Sequence, residues 1–292
     1  MLTQEQIAAR RHSLGSSDAG PMLGISPWKS PRELWLEKTG QLEPADLGDN
    51  LAVMLGNGME RVILDAAMEK LRLDRPVYGC SLKKPDHPCI AATLDCLAMV
   101  NDCVAVPLEA KYAESPERWG PVEGGIHSLP DEYAAQVLHQ CVVAGSPRAF
   151  LAAYFAGRRR ELRIYECLPT PEMLQNYERK AVEWWEKHVV GNVPPEQDEP
   201  CSLEVLARRH REPGKVVQLD AAMVQAWRDA DAEAKAAAAV ADAAKARVLE
   251  ALGDAEAGEC DLGTVSYRSQ NRKEYTVPAG SFRVCRFSAS KV

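Results

Sequence analysis

Apolar residues along the first two-thirds of the chain fall at helical spacing, then alternate, then return to helical spacing. Ser30 to Lys38 reads as a helix, with Pro31 in its first turn and Gly40 just past its end. Met59 to Leu73 reads as a second, with Ile63, Leu64, Ala67 and Leu71 on one stripe. Cys89 to Thr93, Cys96 to Val100 and Cys103 to Tyr112 then read as strands, the last two joined by an Asn101-Asp102 turn signal. A helix from Asp131 to Ala144 ends at Gly145. Strands Phe150 to Ala156 and Glu161 to Leu168 flank Gly157-Arg-Arg-Arg160, and a helix from Pro171 to His188 follows. This order predicts an α/β (α+β) domain, a mixed central sheet flanked by helices.

The pattern breaks at Gly191-Asn-Val-Pro-Pro-Glu-Gln-Asp-Glu-Pro200, whose three prolines predict an exposed linker. A long Ala/Asp/Glu/Lys helix follows from Asp220 to Leu252, stopped by Gly253. Alternation then predicts strands over Gly263 to Val277 and Ser281 to Phe287. The chain therefore divides into a core, 1–192, a linker, 193–214, and an accessory helix with a small β element, 215–292. The accessory helix is too small-sided to build a core alone, which predicts packing on the core or on a partner subunit.

Composition narrows the function. The 292 residues are 46% hydrophobic and 26% charged, an ordinary globular balance. Thirty-five Lys and Arg against 42 Asp and Glu leave a net charge of -7, so a polyanion must be met by a local basic groove. No apolar run reaches the roughly 20 residues of a membrane span. The amino-terminal Met1 to Gly15 is polar and basic, without the apolar stretch of a secretory signal, which predicts a cytoplasmic protein. Nine cysteines lie scattered without a Cys-x-x-Cys pair, so they read as reduced, small apolar side chains.

Candidate chemistry begins at Leu108-Glu-Ala-Lys111. On a strand Glu109 and Lys111 share a face, where a carboxylate beside an ammonium can hold a metal and activate water, or simply form a surface pair. Two other Glu-x-Lys triplets, Glu178 to Lys180 and Glu233 to Lys235, fall on helices as solvated charges. Asp95, flanked by apolar residues between two strands, is either a turn former or a second carboxylate for the Glu109 face. Together with a backbone carbonyl between Glu109 and Lys111, such a pair suits Mg²⁺ or Mn²⁺. Glu60 completes an Asn57-x-x-Glu60 capping pattern, yet lies on the core-facing stripe of its helix. Gln136 is a neutral amide near an apolar helical face, either a structural hydrogen-bonder or a site residue. Arg10 and Arg11 precede Leu14-Gly-Ser-Ser-Asp-Ala-Gly20, where Ser16, Ser17 and the backbone could cradle an anion or cap a short helix. Trp28 reads as an exposed contact. Trp184 and Trp185 read as packing, and Arg158 to Arg160 as a solvated turn.

Taken in order, these segments resemble the YqaJ-type viral recombinase nucleases, relatives of bacteriophage lambda exonuclease within the PD-(D/E)xK superfamily. The resemblance is carried by Leu14-Gly-Ser-Ser-Asp-Ala, Leu23-Gly-Ile-Ser-Pro-Trp-Lys-Ser-Pro31 and Leu34-Trp-Leu-Glu-Lys-Thr-Gly40. It continues through Gly56-Asn-Gly-Met-Glu60, Thr93-Leu-Asp95, Leu108-Glu-Ala-Lys111 and Tyr133-Ala-Ala-Gln136, and covers about residues 10–192. It implies a restriction-endonuclease-like core and a metal-dependent DNA nuclease resecting double-stranded ends 5′ to 3′ for single-strand-annealing recombination. An endonuclease with the same site and an inactive DNA-end-binding module are the alternatives. Asp95, Glu109 and the Ala110 carbonyl would be metal ligands, with two Mg²⁺ (or Mn²⁺) ions expected. Lys111 would orient the attacking water, Glu60 would join the metal site, and Gln136 would place water or phosphate. Arg10 and Ser17 would grip the DNA phosphate, and Trp28 would stand at a duplex end. Partners implied are DNA ends, a single-strand-annealing protein and further copies in a ring trimer, in bacterial or phage-infected cytoplasm. The family's Pro-Asp-Gly is replaced here by Leu94-Asp95-Cys96.

Overall fold

A five-stranded sheet, in the order β1-β2-β3-β4-β5, organises the first part of the chain. The computed structural model describes residues 10–100, 104–158, 160–196, 199–269 and 271. The strands are β1 (Asp74–Lys83), β2 (Ala91–Val100), β3 (Val104–Ala113), β4 (Ala149–Phe155) and β5 (Glu161–Cys167). All neighbours are antiparallel except β3 and β4, which run parallel. Parallel neighbours need a crossover, and helix α4 (Asp131–Ala144) supplies it. A mixed sheet flanked by helices is the predicted architecture.

Helices cover both faces. A three-residue 3₁₀ turn, Ser16–Asp18, leads into α1 (Ala19–Leu23), followed by α2 (Pro31–Lys38) and α3 (Leu51–Leu71). Ile63, Leu64 and Ala67 of α3 pack on Cys96, Ala98, Val106, Leu108 and Phe150. The opposite face meets α4, whose Val137 and Cys141 pack with Leu151, Ala153 and Tyr165. Helix α5 (Pro171–Trp184) runs into a π-helical turn, Trp185–Val190, and adds Tyr177, Ala181 and Trp184 to a cluster around Leu34 and Leu94. Trp184 and Trp185 pack as predicted.

Several boundaries differ from the sequence reading. Helix α3 starts eight residues before Met59, because the Asn50 side chain accepts from the Ala52 and Val53 amides. Asn57 therefore lies inside the helix and the Asn57-x-x-Glu60 pattern is no cap. Asp95 sits in the middle of β2, not at a turn, since 91–100 is one strand. The Asn101-Asp102 turn lies outside the described residues. Strand β1 was not expected: it is an exposed edge strand holding Pro76, with a register irregularity between Asp74 and Val77.

The chain separates into two units, to His210 and from Arg211. The expected linker, 193–214, is in large part bound to the first unit. Helix α6 (Leu203–Arg208) brings Arg208 to Glu33 at 2.6 Å and to the Glu43 carbonyl at 2.9 Å, while the His210 amide donates to the Gln41 carbonyl. Arg32 donates to the Pro195 carbonyl at 2.6 Å. A proline-rich stretch donates few amides, but its carbonyls still accept, as those of Val193 and Pro195 do here. The second unit has α7 (Ala221–Leu252), capped by Asp220, and a hairpin of β6 (Ala257–Cys260) with β7 (Gly263–Ser266). The expected strand 263–277 thus ends at Ser266 within the described residues and pairs backward, and 281–287 lies outside them.

Candidate active site

The ladder between β2 and β3 runs from Val100↔Val104 to Cys96↔Leu108 and stops there. Beyond it the two strands part. On the β2 side Leu14 inserts, its amide donating to the Cys89 carbonyl and its carbonyl accepting from Ala91. On the β3 side the Ala110 amide, left without a ladder partner, donates 3.0 Å to Asp95 Oδ2. The N–H and C=O of one strand residue point the same way, so the Ala110 carbonyl faces the same gap. Asp95 is thereby fixed against the strand that carries Glu109 and Lys111.

Glu109 is the centre of the site and only 2% exposed. Its Oε1 accepts from Lys111 Nζ and from Gln136 Nε2, and its Oε2 accepts from Gln140 Nε2. Gln136 and Gln140 stand one turn apart on α4, the helix that covers this face of the sheet. Gln140 itself is buried, and its Oε1 is without a hydrogen-bond partner. The amine of Lys111 lies over the Tyr133 ring, 5.1 Å from its centroid.

The electrostatics follow from crowding acids in a half-dry gap. Burial, then the charge of Glu109, pushes the Asp95 carboxyl up to about 8. Glu60, reaching in from α3, is raised for the same two reasons in the same order. Burial pulls the Lys111 amine down, but Glu109 and then Asp95 outweigh it and hold the ammonium above its ordinary range. Among the described residues no three His, Cys, Asp or Glu side chains close into a ready cation cage. Asp95 is held to the strand beside Glu109 by the Ala110 amide, and Glu60 acts on both through its charge. The three expected acids thus act on one another through their charges, with the amine turned inward.

Comparison with known proteins finds relatives of the chain. Residues 6–147 match the model of the YqaJ-like viral recombinase domain. The chain carries a YqaJ-like viral recombinase domain. The uncharacterized protein YqaJ of Bacillus subtilis (strain 168) is 27% identical over 231 residues, 76% of this chain and 68% of that one. The alkaline exonuclease LHK-Exo of Laribacter hongkongensis, in its complex with dAMP, superposes with a TM-score of 0.50 at 14% identity, covering 65% of this chain and 94% of that chain. Another crystal structure of the same enzyme gives 0.48 and 13%. At that identity the likeness is one of fold.

Every residue named above from Glu60 to Gln140 lies inside the YqaJ-like domain. So does the amino-terminal segment, and there the structure sorts the expected phosphate contacts. Arg11 forms a surface ion pair with Glu43 at 2.8 Å. Arg10 is exposed, while its backbone carbonyl accepts from Lys38. Ser16 is buried in the 3₁₀ turn and Ser17 is exposed. The short helix is anchored by Asp18, which accepts from the Gly15 amide and pairs with the buried Lys38 at 2.6 Å. Trp28, 66% exposed, stands 6.1 Å from the Tyr133 ring and so borders the site. Sequence reasoning missed Gln140 and Tyr133. Their signal was spacing: Tyr133, Gln136 and Gln140 fall at i, i+3 and i+7 on one helical face.

Among the described residues no helix is long and apolar enough to cross a membrane. Among the described residues Cys80, Cys89, Cys96, Cys141, Cys167 and Cys260 are free thiols.

Proposed function

We propose that the YqaJ-like domain is a divalent-metal-dependent deoxyribonuclease that resects double-stranded DNA ends 5′ to 3′ in single-strand-annealing recombination. The observation that carries this reading is the gap between β2 and β3, where the Ala110 amide holds Asp95 against the strand that carries Glu109 and its inward-turned ammonium partner. An all-oxygen donor set suits Mg²⁺ or Mn²⁺, and the Asp95 carboxyl, raised by burial and then by Glu109, is a group whose ionisation a bound cation would favour. Asp95, Glu109 and the Ala110 carbonyl would hold the ion, with Glu60 at its outer side. When bound, a divalent cation supplies a nucleophilic water at neutral pH and offsets charge on the attacked phosphate.

The protein's own groups do the rest. Gln136 and Gln140 pin both oxygens of Glu109, so that carboxylate stays oriented while DNA arrives. Lys111, kept protonated by its neighbours, positions the water and meets charge developing on the phosphate. Trp28 offers an aromatic face at the edge of the site, where a terminal base pair can stack. LHK-Exo is described in complex with dAMP, a nucleoside monophosphate of the kind that exonucleolytic cleavage releases, and its shared fold supports the same chemistry here.

The decisive experiment is digestion of a linear duplex with 5′-phosphorylated ends, with Mg²⁺ and with chelator. Nucleotide release should require the metal and fall on the order of a hundredfold or more in Glu109→Ala and Lys111→Ala. Circular dichroism of both variants should match the parent. Equal activity in parent and variants would remove the catalytic assignment. A covalently closed circle should survive, and its cleavage would replace the exonuclease with an endonuclease.

A further inference from the structure

Helix α7 is 32 residues long, and all of it except Val224, Leu249 and Leu252 is exposed. Alanine propensity keeps such a helix formed, but does not explain why Met223, Trp227, Val240 and Val248 stand in water. Met223, Trp227 and Val248 fall on two rows of a seven-residue repeat, while Val240 lies on a flanking one. Trp227, Ala234, Ala241 and Val248 recur every seventh residue. Ala230, Ala237, Ala244 and Ala251 form a second row, three positions on. Neither row contains a charge, and no other pair of rows able to make a seam is free of one.

The rows flanking this seam carry acids early and bases late: Asp231 and Lys245 on one side, Glu233 and Arg247 on the other. Compensation of a helix dipole acts within the terminal turns and does not account for charges placed this far inside. A second copy laid antiparallel does. In the register that sets Trp227 against Ala251 and Ala234 against Ala244, Asp231 faces Lys245 and Glu233 faces Arg247, twice over by symmetry. Each large residue of the seam then meets an alanine, Val248 against Ala230 included, and the helices stay evenly spaced. A parallel pair would stack Trp227 on Trp227 beside Ala234 on Ala234, and would leave all four charges opposite uncharged residues. The exposed ion pair of Asp231 with Lys235 within the helix, at 2.7 Å, is of the solvated kind that contributes little and can be shared.

We propose that α7 is a self-association surface that pairs antiparallel with α7 of a second copy of this chain. The test is sedimentation of the full chain across a concentration series, with two charge variants, Lys245→Glu/Arg247→Glu and Asp231→Lys/Glu233→Lys. Each variant alone should associate about tenfold more weakly or worse, because every flanking pair becomes repulsive. Mixing the two variants, or combining all four changes in one chain, should restore the parent's association, with helix content by circular dichroism unchanged throughout. Identical mass distributions for parent and both variants, or variants that ignore each other when mixed, would overturn the proposal. A parallel pairing, an association confined to the core, or a seam that serves a different protein gives that result.

Discussion

Glu109 shows how much a single buried acid depends on its donors. Three side chains donate to its two oxygens, and two of them are neutral amides from one helix. Gln140→Leu keeps the volume but leaves Oε2 without its donor in a dry place, which costs about 1–3 kcal/mol. Urea unfolding of this variant should show that loss, and metal-dependent cleavage should weaken alongside it; an unchanged midpoint would mean water replaces the amide. His139, between the two glutamines, makes a prediction about pH. Its Nε2 contacts the Ala91 carbonyl, which can only accept, so Nε2 carries the proton and Nδ1 accepts from the Tyr177 hydroxyl, both at 2.8 Å. Burial holds the ring neutral, its pKa pushed down to about 4 against the pull of the Ala91 carbonyl. An unfolded chain titrates this group near 6.5, so between about 6.5 and 4 the unfolded state binds a proton the folded state refuses. Stability therefore falls as pH drops through that window, by up to roughly 3 kcal/mol from this one residue. The fall in urea midpoint from pH 7 to 4.5 should be smaller in His139→Gln than in the parent.

At the level of elements, α3 carries a weakness that can be repaired. Gly56 and Gly58 lie inside the helix, and a Cβ at either would meet nothing within 4 Å. Each glycine costs a helix interior about 1 kcal/mol relative to alanine. Gly56→Ala and Gly58→Ala should each raise the melting temperature by about 2–4 °C for a unit of this size. If the glycines leave room for DNA beside Glu60, cleavage will fall while the melting temperature rises, and the two readouts separate the roles. The same glycines explain why the helix start was misread: Gly56-Asn-Gly58 has the composition of a break, and only the Asn50 cap and the packing of Ile63 and Leu64 override it. By contrast α4 was legible to the residue, because Asp131 and Gly145 are strong local signals at its ends. Strand β1 was invisible since its exposed pattern buries no face. Asp95, Glu109, Lys111 and Gln136 were legible as a set through their order along the chain. Gln140 was not, because its partner is 31 residues away and a glutamine in an apolar run has no signature of its own. The pairing of Arg11 with Glu43 was not legible for a similar reason, its partner being 32 residues on.

On the scale of the whole molecule, the boundary of the first unit has consequences for where the chain can be cut. The proline-rich segment looks dispensable by composition, yet Arg208 closes on Glu33, whose side chain is 10% exposed. Removing one member of a buried pair strands the other, at a cost of about 3 kcal/mol or more, and a cut at residue 192 also deprives Arg32 of the Pro195 carbonyl. A chain ending at His210 should therefore unfold at the same urea midpoint as the first unit of the full protein, whereas a chain ending at 192 should lose about 3 kcal/mol with an earlier midpoint. Glu33→Gln in the shorter chain should recover part of the loss, because an amide tolerates the missing guanidinium better than a carboxylate does. Matching midpoints for the two truncations would show that 193–210 rests on α2 without holding it. Cleavage supplies the second readout. All the residues around the β2–β3 gap precede residue 192, so the chain ending at His210 should digest a duplex as the parent does, and the α7 charge variants should leave that rate per site unchanged.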